Sequence, residues 1–488
     1  MKRAITFALT YCTLLLSTEA EEKKTDLKTK PNFIVIFTDD LGYNDLGCYG
    51  SEKIQTPRID QMAKEGALFT SFYAQNVCGP SRSALLTGCY PLRNAKKQNR
   101  ITTHPYLHLK EVTIAEMLKP QGYVSACLGK WDQAGHSVDR FDPDLMPLRQ
   151  GFDYYFGTPS SNDRHIRWIE NEKTVEHRAD MATCTQVLTD KAIQFMERNK
   201  DKPFFVYLAH PMPHVKLDAT PKFKGKSKAG LYGDVVEEID YNVGRILDYL
   251  KEQKIEKDTY VIFTSDNGPW YMEKSKVHQQ RGEANHGGSA APLRGHKVTN
   301  WEGGFRVPCV IWRPGTVKAG FKSDEILRTI DFLPTFAALA DTQPPTDRII
   351  DGQEAIDLIN GKDGAQSPSN TFYYYSLRQL VAIRKGDWKL HLPLKTKTFS
   401  RWNVYTKDAD IVDLSKPQLY NLKKDRGETT NVAEQHPNIV KELSELAETV
   451  KDDIGHINRR GKGARFYDPD PKEKKESCEQ VTQPNPFS

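Results

Sequence analysis

The segment CGPSRSALLTG, from Cys78 to Gly88, combines a thiol, a proline and an arginine at short spacing. Pro80 suits the first turn of a helix and Gly88 suits its end, so the pattern predicts a short helix that begins near Cys78. Backbone N–H groups at a helix N-terminus bind anions, and Arg82, about one turn further on, can reach the same anion with its planar donors. The segment therefore predicts an anion site beside Cys78, although the cysteine taken alone would be assigned a structural role in the core.

Three short apolar runs, at residues 32–38, 203–209 and 260–264, are each followed by polar residues. Continuous apolar runs of this length are typical of strands buried on both faces of a sheet. Because ligands bind beyond the carboxyl ends of the strands in a parallel sheet, we expect one shared site at this edge. The polar residues that follow the runs are Asp39 and Asp40, His210 and His214, and Asp266 and Asn267.

The elements that must position these residues follow an α/β pattern. Apolar residues at helical spacing, as at residues 235–250, lie between the strand-like runs. Strands that alternate with helices predict a large mixed, mostly parallel central sheet flanked by helices. Beyond the polar segment 361–370, short apolar or aromatic runs and an amphipathic helix that begins at Pro437 predict a smaller C-terminal α+β domain, an antiparallel sheet plus a helix.

The first 20 residues, MKRAITFALTYCTLLLSTEA, have a basic start, a short apolar run and small residues at the end. This pattern is typical of a secretory signal peptide and is too short to span a bilayer; the alternative is an N-terminal helix of the fold. We therefore expect an exported protein, periplasmic or secreted, with no membrane span. The predicted organisation is a signal peptide at 1–20, a catalytic domain at 21–360, the C-terminal domain at 361–465 and a charged tail at 466–488.

Composition and charge exclude several classes of protein. The 488 residues are 38% hydrophobic and 27% charged, which excludes a disordered chain and a polytopic membrane protein. The net charge of +5 is too small to indicate a nucleic-acid partner, but it suits an anionic substrate. Eight cysteines are too few for a disulfide scaffold in a chain of this length.

The Cys-x-Pro-Ser-Arg pattern at Cys78, followed by Leu-Thr-Gly, resembles the signature of the type I sulfatases. These are the formylglycine-dependent, arylsulfatase A-like members of the alkaline phosphatase superfamily. The resemblance implies that Cys78 is oxidised to formylglycine by a formylglycine-generating enzyme. Arg82 comes too early for the Cys-x5-Arg loop of a phosphatase. The similarity extends over most of the chain, from Asn32 to about Asn431.

The resemblance also implies a calcium site. Asp39 and Asp40 match the N-terminal calcium ligands of the family, Asp266 and Asn267 match the second pair, and position 78 belongs to the same metal site. Oxygen ligands on loops after strands suit a hard cation such as Ca²⁺. Any one of these residues alone could be an ordinary turn or helix cap, so the prediction rests on all of them together with the cysteine motif.

Further motifs match the residues that bind sulfate and transfer protons. The segment GYVSACLGKW resembles the second signature of the family, with Lys130 as a sulfate-binding lysine, and Lys297, in LRGHKVTNWEGG, matches the second such lysine. Ser161, in GTPSSND, takes the place of the active-site serine, and His214 matches the general acid. The implied catalytic residues are Cys78, Arg82, Lys130, His214 and Lys297, and the implied substrate contact is Ser161.

One residue departs from the family pattern. The second signature normally continues Lys-Trp-His, and that histidine contacts the formylglycine hydroxyl and can act as the base that expels sulfate; here the residue is Asp132. Asp132 could accept the proton itself, but it adds a negative charge beside an anion. His136 could fold back and replace the histidine, or it could be a surface residue.

Taken together, the motifs predict a calcium-dependent sulfuric ester hydrolase that removes sulfate from a sulfated carbohydrate, as in polysaccharide degradation. Two alternatives stay open. The same motif occurs in relatives that cleave phosphate or phosphonate esters, although the lysines and the calcium residues favour sulfate. Asp132 could instead mark a degenerate member that binds sulfated glycans without turnover. Four alternating lysines at residues 222–228 could steer a polyanionic glycan or could form a solvated surface loop.

Overall fold

The structure is a computed structural model that describes residues 30–94, 107–271, 286–394, 415–457 and 459–465. The predicted signal peptide and the predicted charged tail lie outside the described residues. Within the described ranges, no helix has the length and apolar character needed to cross a membrane.

A sheet of eleven strands forms the centre of the molecule, in the order β10-β2-β9-β8-β1-β7-β3-β4-β5-β6, with β11 paired to β2. Strands β5 and β9 run antiparallel to their neighbours, and the other strands of this sheet are parallel to one another. The strands are β1 (Asn32–Thr38), β2 (Ala67–Tyr73), β3 (Val124–Lys130), β4 (Tyr154–Thr158), β5 (Ile166–Glu170), β6 (Lys173–Ala179), β7 (Phe204–Ala209), β8 (Thr259–Ser265), β9 (Arg306–Trp312), β10 (Phe321–Ser323) and β11 (Leu327–Arg328).

Helices cover both faces of this sheet. The central strand β1 is fully buried and alternates its side chains between the two faces, as expected for a strand between two helical layers. Phe33, Val35 and Phe37 pack in one core with α2, α4 and α8, and Ile34 and Ile36 pack in the other with α1, α5 and α6. The helices are α1 (Pro57–Glu65), α2 (Cys78–Thr87), α3 (Pro91–Asn94), α4 (Ile114–Leu118), α5 (Cys184–Asn199), α6 (Gly230–Glu252), α7 (Glu302–Phe305), α8 (Phe332–Leu339), α9 (Ile356–Ile359) and α10 (Pro437–Asp453).

The C-terminal part is a four-stranded antiparallel sheet with α10 packed against it. Its core continues into the larger unit, because the ring of Phe372 stacks on that of Tyr73 with 4.5 Å between the centroids. The strands are β12 (Thr371–Ser376), β13 (Gln379–Lys385), β14 (Trp388–His391) and β15 (Gln418–Asn421), and a short hairpin follows with β16 (Gly455–His456) and β17 (Arg459–Arg460).

The predicted fold class is confirmed. The sheet is large, mixed and mostly parallel, and the smaller C-terminal part is an antiparallel sheet plus a helix. The predicted helix that begins at Pro437 runs to Asp453. The boundary between the two domains at residue 361 stays a prediction.

Candidate active site

The carboxyl ends of neighbouring parallel strands bring the predicted site residues to one edge of the sheet. β1 lies between β7 and β8 and pairs with both in parallel. Asp39 and Asp40 follow β1 directly, and Asp266 and Asn267 follow β8. The backbone N–H of Asp266 donates to the Thr38 carbonyl over 3.0 Å, which holds the two polar segments side by side. The shared site expected at this edge is therefore present in the geometry.

Helix α2 begins at Cys78, as the proline and glycine spacing predicts. Val77 is the N-cap in an extended conformation, and Gly88 closes the helix in the left-handed region at φ 67°. Arg82, fully buried one turn into the helix, donates to Asp266 over 2.8 Å and to the Lys130 carbonyl over 3.2 Å. The helix therefore delivers the thiol and the guanidinium to the same edge of the sheet.

Lys130 is the last residue of β3, and a tight approach to β7 directs it into the site. Gly129 has φ 106°, and a Cβ at this position would lie 2.0 Å from the Ala209 carbonyl oxygen. A residue with a side chain would clash here, so glycine is required. The Lys130 ammonium donates to Asp39 over 2.8 Å and is fully buried.

Lys297 comes from a loop rather than from the sheet. Its backbone N–H donates to the Pro269 carbonyl over 3.0 Å, and the N–H of Val298 donates to the Asn76 carbonyl over 2.9 Å. These bonds attach the loop to the segment after β8 and to the segment before α2. They explain how a loop lysine reaches the buried centre of the site, where it is 4% exposed.

Cys78 lies between carboxylates and a cation. Its thiol donates to Asp39 over 3.2 Å, and the Lys297 ammonium donates to the sulfur over 3.1 Å. Lys297 also donates to Asp40 over 2.7 Å. Three carboxylates and three cationic side chains thus surround one thiol, in a region with almost no solvent exposure. The residues of this charged cluster are Asp39, Asp40, Asp266, Arg82, Lys130 and Lys297.

The carboxylates of the cluster have unlike pKa values. Burial opposes the charge of Asp39, but the nearby cations, first among them Lys130, outweigh burial and hold the pKa of Asp39 well below its usual range. Burial, together with the charge of Asp39, raises the pKa of Asp40 to about 7 and that of Asp266 to about 6. Burial and the same carboxylates raise the pKa of the Cys78 thiol well above its usual range. Burial and the neighbouring carboxylates therefore outweigh the cations that contact Asp40 and Asp266, which are Lys297 and Arg82.

The donor set fits a divalent cation with oxygen ligands. One ligand atom from each of Asp39, Asp40, Cys78 and Asp266 lies within 4.8 Å of the others. Asp40 Oδ2 and Asn267 Oδ1 are buried without a hydrogen bond among the described residues. Asn267 Nδ2 lies 2.6 Å from Asp40 Oδ1, so a half-turn of the amide would place its oxygen toward the carboxylates. Oxygen-rich sites of this kind suit Ca²⁺, and the predicted ligands are brought together.

The neighbours of His214 determine which ring nitrogen faces the cluster. Nδ1 lies 2.5 Å from the Val215 carbonyl oxygen, 3.0 Å from Asn162 Oδ1 and 3.2 Å from Ser161 Oγ. The Asn162 amide nitrogen donates to the carbonyls of His214 and Lys216, so its oxygen must point at the ring and accept from Nδ1. Nε2 then faces the site, 3.6 Å from Asp40. Ser161 is thus placed against His214.

The ring of His214 is buried beside cations. Burial, followed by the charge of Lys297, lowers the pKa of His214 to about 4. An anion bound beside Nε2 would raise this pKa, because opposite charge favours the protonated form. His214 is therefore positioned to gain a proton at Nε2 when an anionic group is present.

Asp132 is buried next to the cluster, and His136 folds back on it. Asp132 has φ 54° and lies 3.9 Å from the Lys130 ammonium. His136 Nδ1 lies 3.1 Å from Asp132 Oδ1, although a third of the His136 side chain is exposed. Burial opposes the charge of His136, but Asp132 outweighs burial and raises the pKa of the ring. Gln133 donates to the Gly79 carbonyl over 2.8 Å, so this segment is attached to the residue beside Cys78.

Several neighbours of the site were missed by the sequence argument. Asn162 fixes His214, and the Trp270 ring meets that of His214 edge-on at 5.1 Å. The Lys297 ammonium lies 4.9 Å above the same tryptophan ring. The signals available were adjacency to Ser161 for Asn162 and the position of Trp270 three residues after Asn267, but neither residue type by itself indicates a role.

Comparison with known proteins gives the same assignment over most of the chain. The Sulfatase family model matches residues 31–342, and the model for the C-terminal region of aryl-sulfatase matches residues 367–481. The chain is 36% identical over 410 residues to the N-acetylgalactosamine-6-sulfatase of Canis lupus familiaris, covering 78% of this chain and 74% of the relative. It is 32% identical over 488 residues to the N-acetylgalactosamine-6-O-sulfatase of Bacteroides thetaiotaomicron, covering 86% of this chain and 93% of the relative.

A solved structure gives the same result for the fold. It was described in work on the metabolism of multiple glycosaminoglycans by Bacteroides thetaiotaomicron, and it superimposes with a TM-score of 0.74 at 30% identity over 87% of this chain and 99% of that chain. The family match, the relatives and the fold agree with one another. The chain belongs to the sulfatase family of the alkaline phosphatase superfamily and is a sulfuric ester hydrolase.

Proposed function

We propose that this sulfatase removes sulfate from a sulfated carbohydrate by using formylglycine formed from Cys78 and calcium bound beside it. The observation that carries the proposal is the position of the Cys78 sulfur, 3.2 Å from Asp39 and 3.1 Å from the Lys297 ammonium at the start of a helix. The names of the relatives indicate the sugar, so we infer a 6-sulfated N-acetylgalactosamine, free or within a glycan, as the first substrate to test.

The charged cluster would hold the sulfate. Hydrated formylglycine would supply a hydroxyl nucleophile at position 78, and calcium would supply positive charge to the sulfate oxygens. Arg82, Lys130 and Lys297 are already oriented by the carboxylates, so they need little rearrangement when charge develops. Pre-oriented cations in a site without water stabilise developing negative charge far better than solvated ones.

His214 would protonate the leaving alcohol. Its Nδ1 is committed to Asn162, so the proton that can move is the one on Nε2, which faces the cluster. A general acid must lie within hydrogen-bond reach of the leaving oxygen and must carry a proton at working pH. The anionic ester itself would favour that protonated form. Ser161 and Asn162 would keep the ring in this orientation.

Release of sulfate from the enzyme needs a base, and two residues can serve. Asp132 stands in the position where the family has histidine and is 1% exposed. His136 is oriented by Asp132 in the manner of a carboxylate–histidine pair. Rapid-quench kinetics of Asp132→Asn and His136→Gln would distinguish them. The variant that lacks the base should give one rapid turnover and then stall.

The decisive experiment is sulfate release by the full chain, co-expressed with a formylglycine-generating enzyme and supplied with calcium. Mass spectrometry would first establish the state of Cys78. Sulfated N-acetylgalactosamine and a panel of sulfated oligosaccharides and polysaccharides would then be tested beside Cys78→Ala and beside Cys48→Ser, a half-buried thiol elsewhere in the fold. Release that is lost in Cys78→Ala and kept in Cys48→Ser supports the proposal.

The same panel addresses the two alternatives. Matched phosphate and phosphonate esters would be hydrolysed faster than the sulfate ester if the phosphoester interpretation held. A formylglycine-containing protein that binds sulfated glycans but releases no sulfate would indicate a degenerate member of the family. Asp132→His would then be the first variant to test for sulfate release.

We also propose that the protein is exported and cleaved after Ala20. The basic, apolar and small-residue pattern of the first 20 residues supports this. N-terminal sequencing of the protein recovered outside the cytoplasm should begin at Glu21, and an intact Met1 on that material would contradict the proposal.

A further inference from the structure

A cavity of about 870 Å³ opens beside the active site and has no assigned role. It is formed by the segment that follows β3, residues 134–143, and by Arg167 on β5. His136 lines the cavity and contacts Asp132 at 3.1 Å. The cavity is therefore separated from the charged cluster by Asp132, which in turn lies 3.9 Å from Lys130.

Asp163 interacts both with a residue of the cavity and with the residue on the leaving-group side of the site. Its carboxylate lies 3.9 Å from Nε2 of His214 and also acts electrostatically on His136. His214 is the proposed donor to the leaving alcohol, so the sugar that carries the ester must extend from Nε2. A sugar that extends past Asp163 would approach His136, which lines the cavity.

The two arginines of the cavity wall form no ion pair with a carboxylate among the described residues. Arg167 donates to Thr174 Oγ1 and to the Val138 carbonyl, both of which are neutral acceptors. Its guanidinium also stacks 5.8 Å from the Phe141 centroid, which limits its motion. Arg140 also lines the cavity, and no carboxylate of the described residues lies within ion-pair distance of either arginine.

The acidic residues of the same wall are already engaged. Asp139 lies 3.7 Å from His165, and Asp142 accepts the backbone N–H of Asp144 over 3.1 Å. Neither carboxylate pairs with Arg140 or Arg167, so both guanidinium groups can bind an anionic ligand. Planar guanidinium groups match the geometry of carboxylates and sulfates.

We propose that this cavity is a second anion-binding subsite, in which Arg140 and Arg167 bind a further sulfate or carboxylate of the glycan whose ester lies at Cys78. This inference rests on the proposed function, because it uses the same glycan and the same leaving direction. It makes the enzyme selective for glycans that carry two anionic groups on the same or adjoining sugars. A neutral sugar would lack the charge-assisted hydrogen bonds that an anionic group makes with the arginines.

The test compares substrates that share one ester and differ in the second anionic group. The probes are N-acetylgalactosamine 6-sulfate, N-acetylgalactosamine 4,6-disulfate, and the disaccharide of a hexuronate with N-acetylgalactosamine 6-sulfate. The proteins are the wild type, Arg140→Ala, Arg167→Ala and the control Arg149→Ala, whose arginine pairs with Glu172 on the surface outside the cavity. The readouts are kcat and KM for the formylglycine form, and Kd by calorimetry for the same set made on Cys78→Ala.

We expect the wild type to prefer at least one of the two dianionic probes over the monosulfate. Arg167→Ala should raise KM and Kd for that probe about tenfold and leave kcat unchanged, because the lost contact stabilises the bound substrate and the transition state equally. The kinetics of the monosulfate should not change. The disulfate and the uronate probes distinguish sulfate from carboxylate as the second group. The control should behave as the wild type does.

Equal affinity for all three probes, or equal losses for all three in Arg167→Ala, would overturn the subsite. The calorimetric series does not depend on turnover, so it separates the two proposals. If the wild type releases no sulfate from any probe but still binds a dianionic one through Arg167, the proposed function fails and the subsite stands.

Discussion

The Lys297 ammonium lies 3.1 Å from the Cys78 sulfur, although the two residues are 219 positions apart in the chain. The same nitrogen lies 2.7 Å from Asp40 Oδ1. One lysine therefore bridges the position of the proposed nucleophile and a proposed metal ligand. A group bound between Cys78 and the metal residues would meet this cation first.

Removing the charge of Lys297 should cost activity. Lys297→Met keeps the length of the side chain, and we expect kcat/KM to fall by roughly 10²–10³-fold, the effect of deleting one oriented donor from an oxyanion site. Steady-state kinetics with a sulfated sugar would measure the change. Lys362→Met, at an exposed position, is the matched control. Unchanged kinetics in Lys297→Met would contradict the role in sulfate binding.

Calcium should stabilise the fold, because a cation offsets the repulsion among Asp39, Asp40 and Asp266. At a calcium concentration 100 times Kd, binding adds about 2.7 kcal/mol to the free energy of unfolding. Thermal denaturation with calcium and with a chelator should therefore give different Tm values. Asp266→Asn should weaken this response, and Asp363→Asn, at an exposed position, should leave it intact. A Tm that calcium does not change would argue against the metal site.

Loss of the proton donor should depend on the leaving group. In His214→Gln, hydrolysis of an alkyl sulfate such as a sugar ester should slow by roughly 10²–10⁴-fold. An aryl sulfate whose phenol is acidic needs little protonation, so its rate should fall much less. The comparison needs no second variant, because both esters are measured on one protein. An equal loss for both esters would mean that His214 contributes in some way other than proton donation.

A buried ionic network links the two parts of the fold and should contribute several kcal/mol to the free energy of unfolding. Glu302 of α7 accepts from Lys389 of β14 over 3.1 Å, and Lys389 also lies 2.9 Å from Glu428. Lys389→Met would remove one cation from two buried carboxylates, and removing one partner of a buried pair costs about 3–5 kcal/mol. Urea denaturation would measure this loss. Lys385→Met, which breaks the exposed pair with Glu442, should cost less than about 1 kcal/mol.

The same network predicts how stability changes in acid. Burial opposes the charge of Glu302, but Lys389 and the nearby arginines outweigh burial and hold the pKa of Glu302 well below its usual value of 4.5. A carboxyl group whose pKa is lower in the folded than in the unfolded protein stabilises the fold at pH values above its unfolded pKa. This contribution to the free energy of unfolding is lost as the pH falls below the unfolded pKa. Urea midpoints of the wild type should therefore fall below about pH 4.5 more steeply than those of Glu302→Gln. If the urea midpoints of the two proteins fall equally with pH, groups other than Glu302 cause the loss of stability in acid.

Much of the architecture was predictable because it depends on patterns within about ten residues. The run at residues 32–38 forms β1 at those bounds, and the segment CGPSRSALLTG forms α2 from Cys78 to Thr87. Strand length, proline and glycine positions and apolar periodicity act locally, so they can be read along the chain. The alternation of strands and helices along the chain predicts a parallel sheet, and the polar residues that follow its strands then lie at one edge.

The pairing of side chains across the site was not predictable from the residues alone. Asn162 and the Val215 carbonyl set the tautomer of His214, and Lys389 joins Glu302 to Glu428. These contacts join segments far apart in the chain, and their distances depend on how the layers pack. A local pattern contains no measure of such distances.

The amino-acid sequence by itself determined the fold class, the cysteine motif and the set of residues at the edge of the sheet. The tertiary structure decided which cation faces which carboxylate, which nitrogen of His214 faces the site, and where the cavity beside His136 opens. The physical reason is that periodicity and turn chemistry are properties of short segments, whereas burial, charge pairing and cavities arise only when distant segments share one interior.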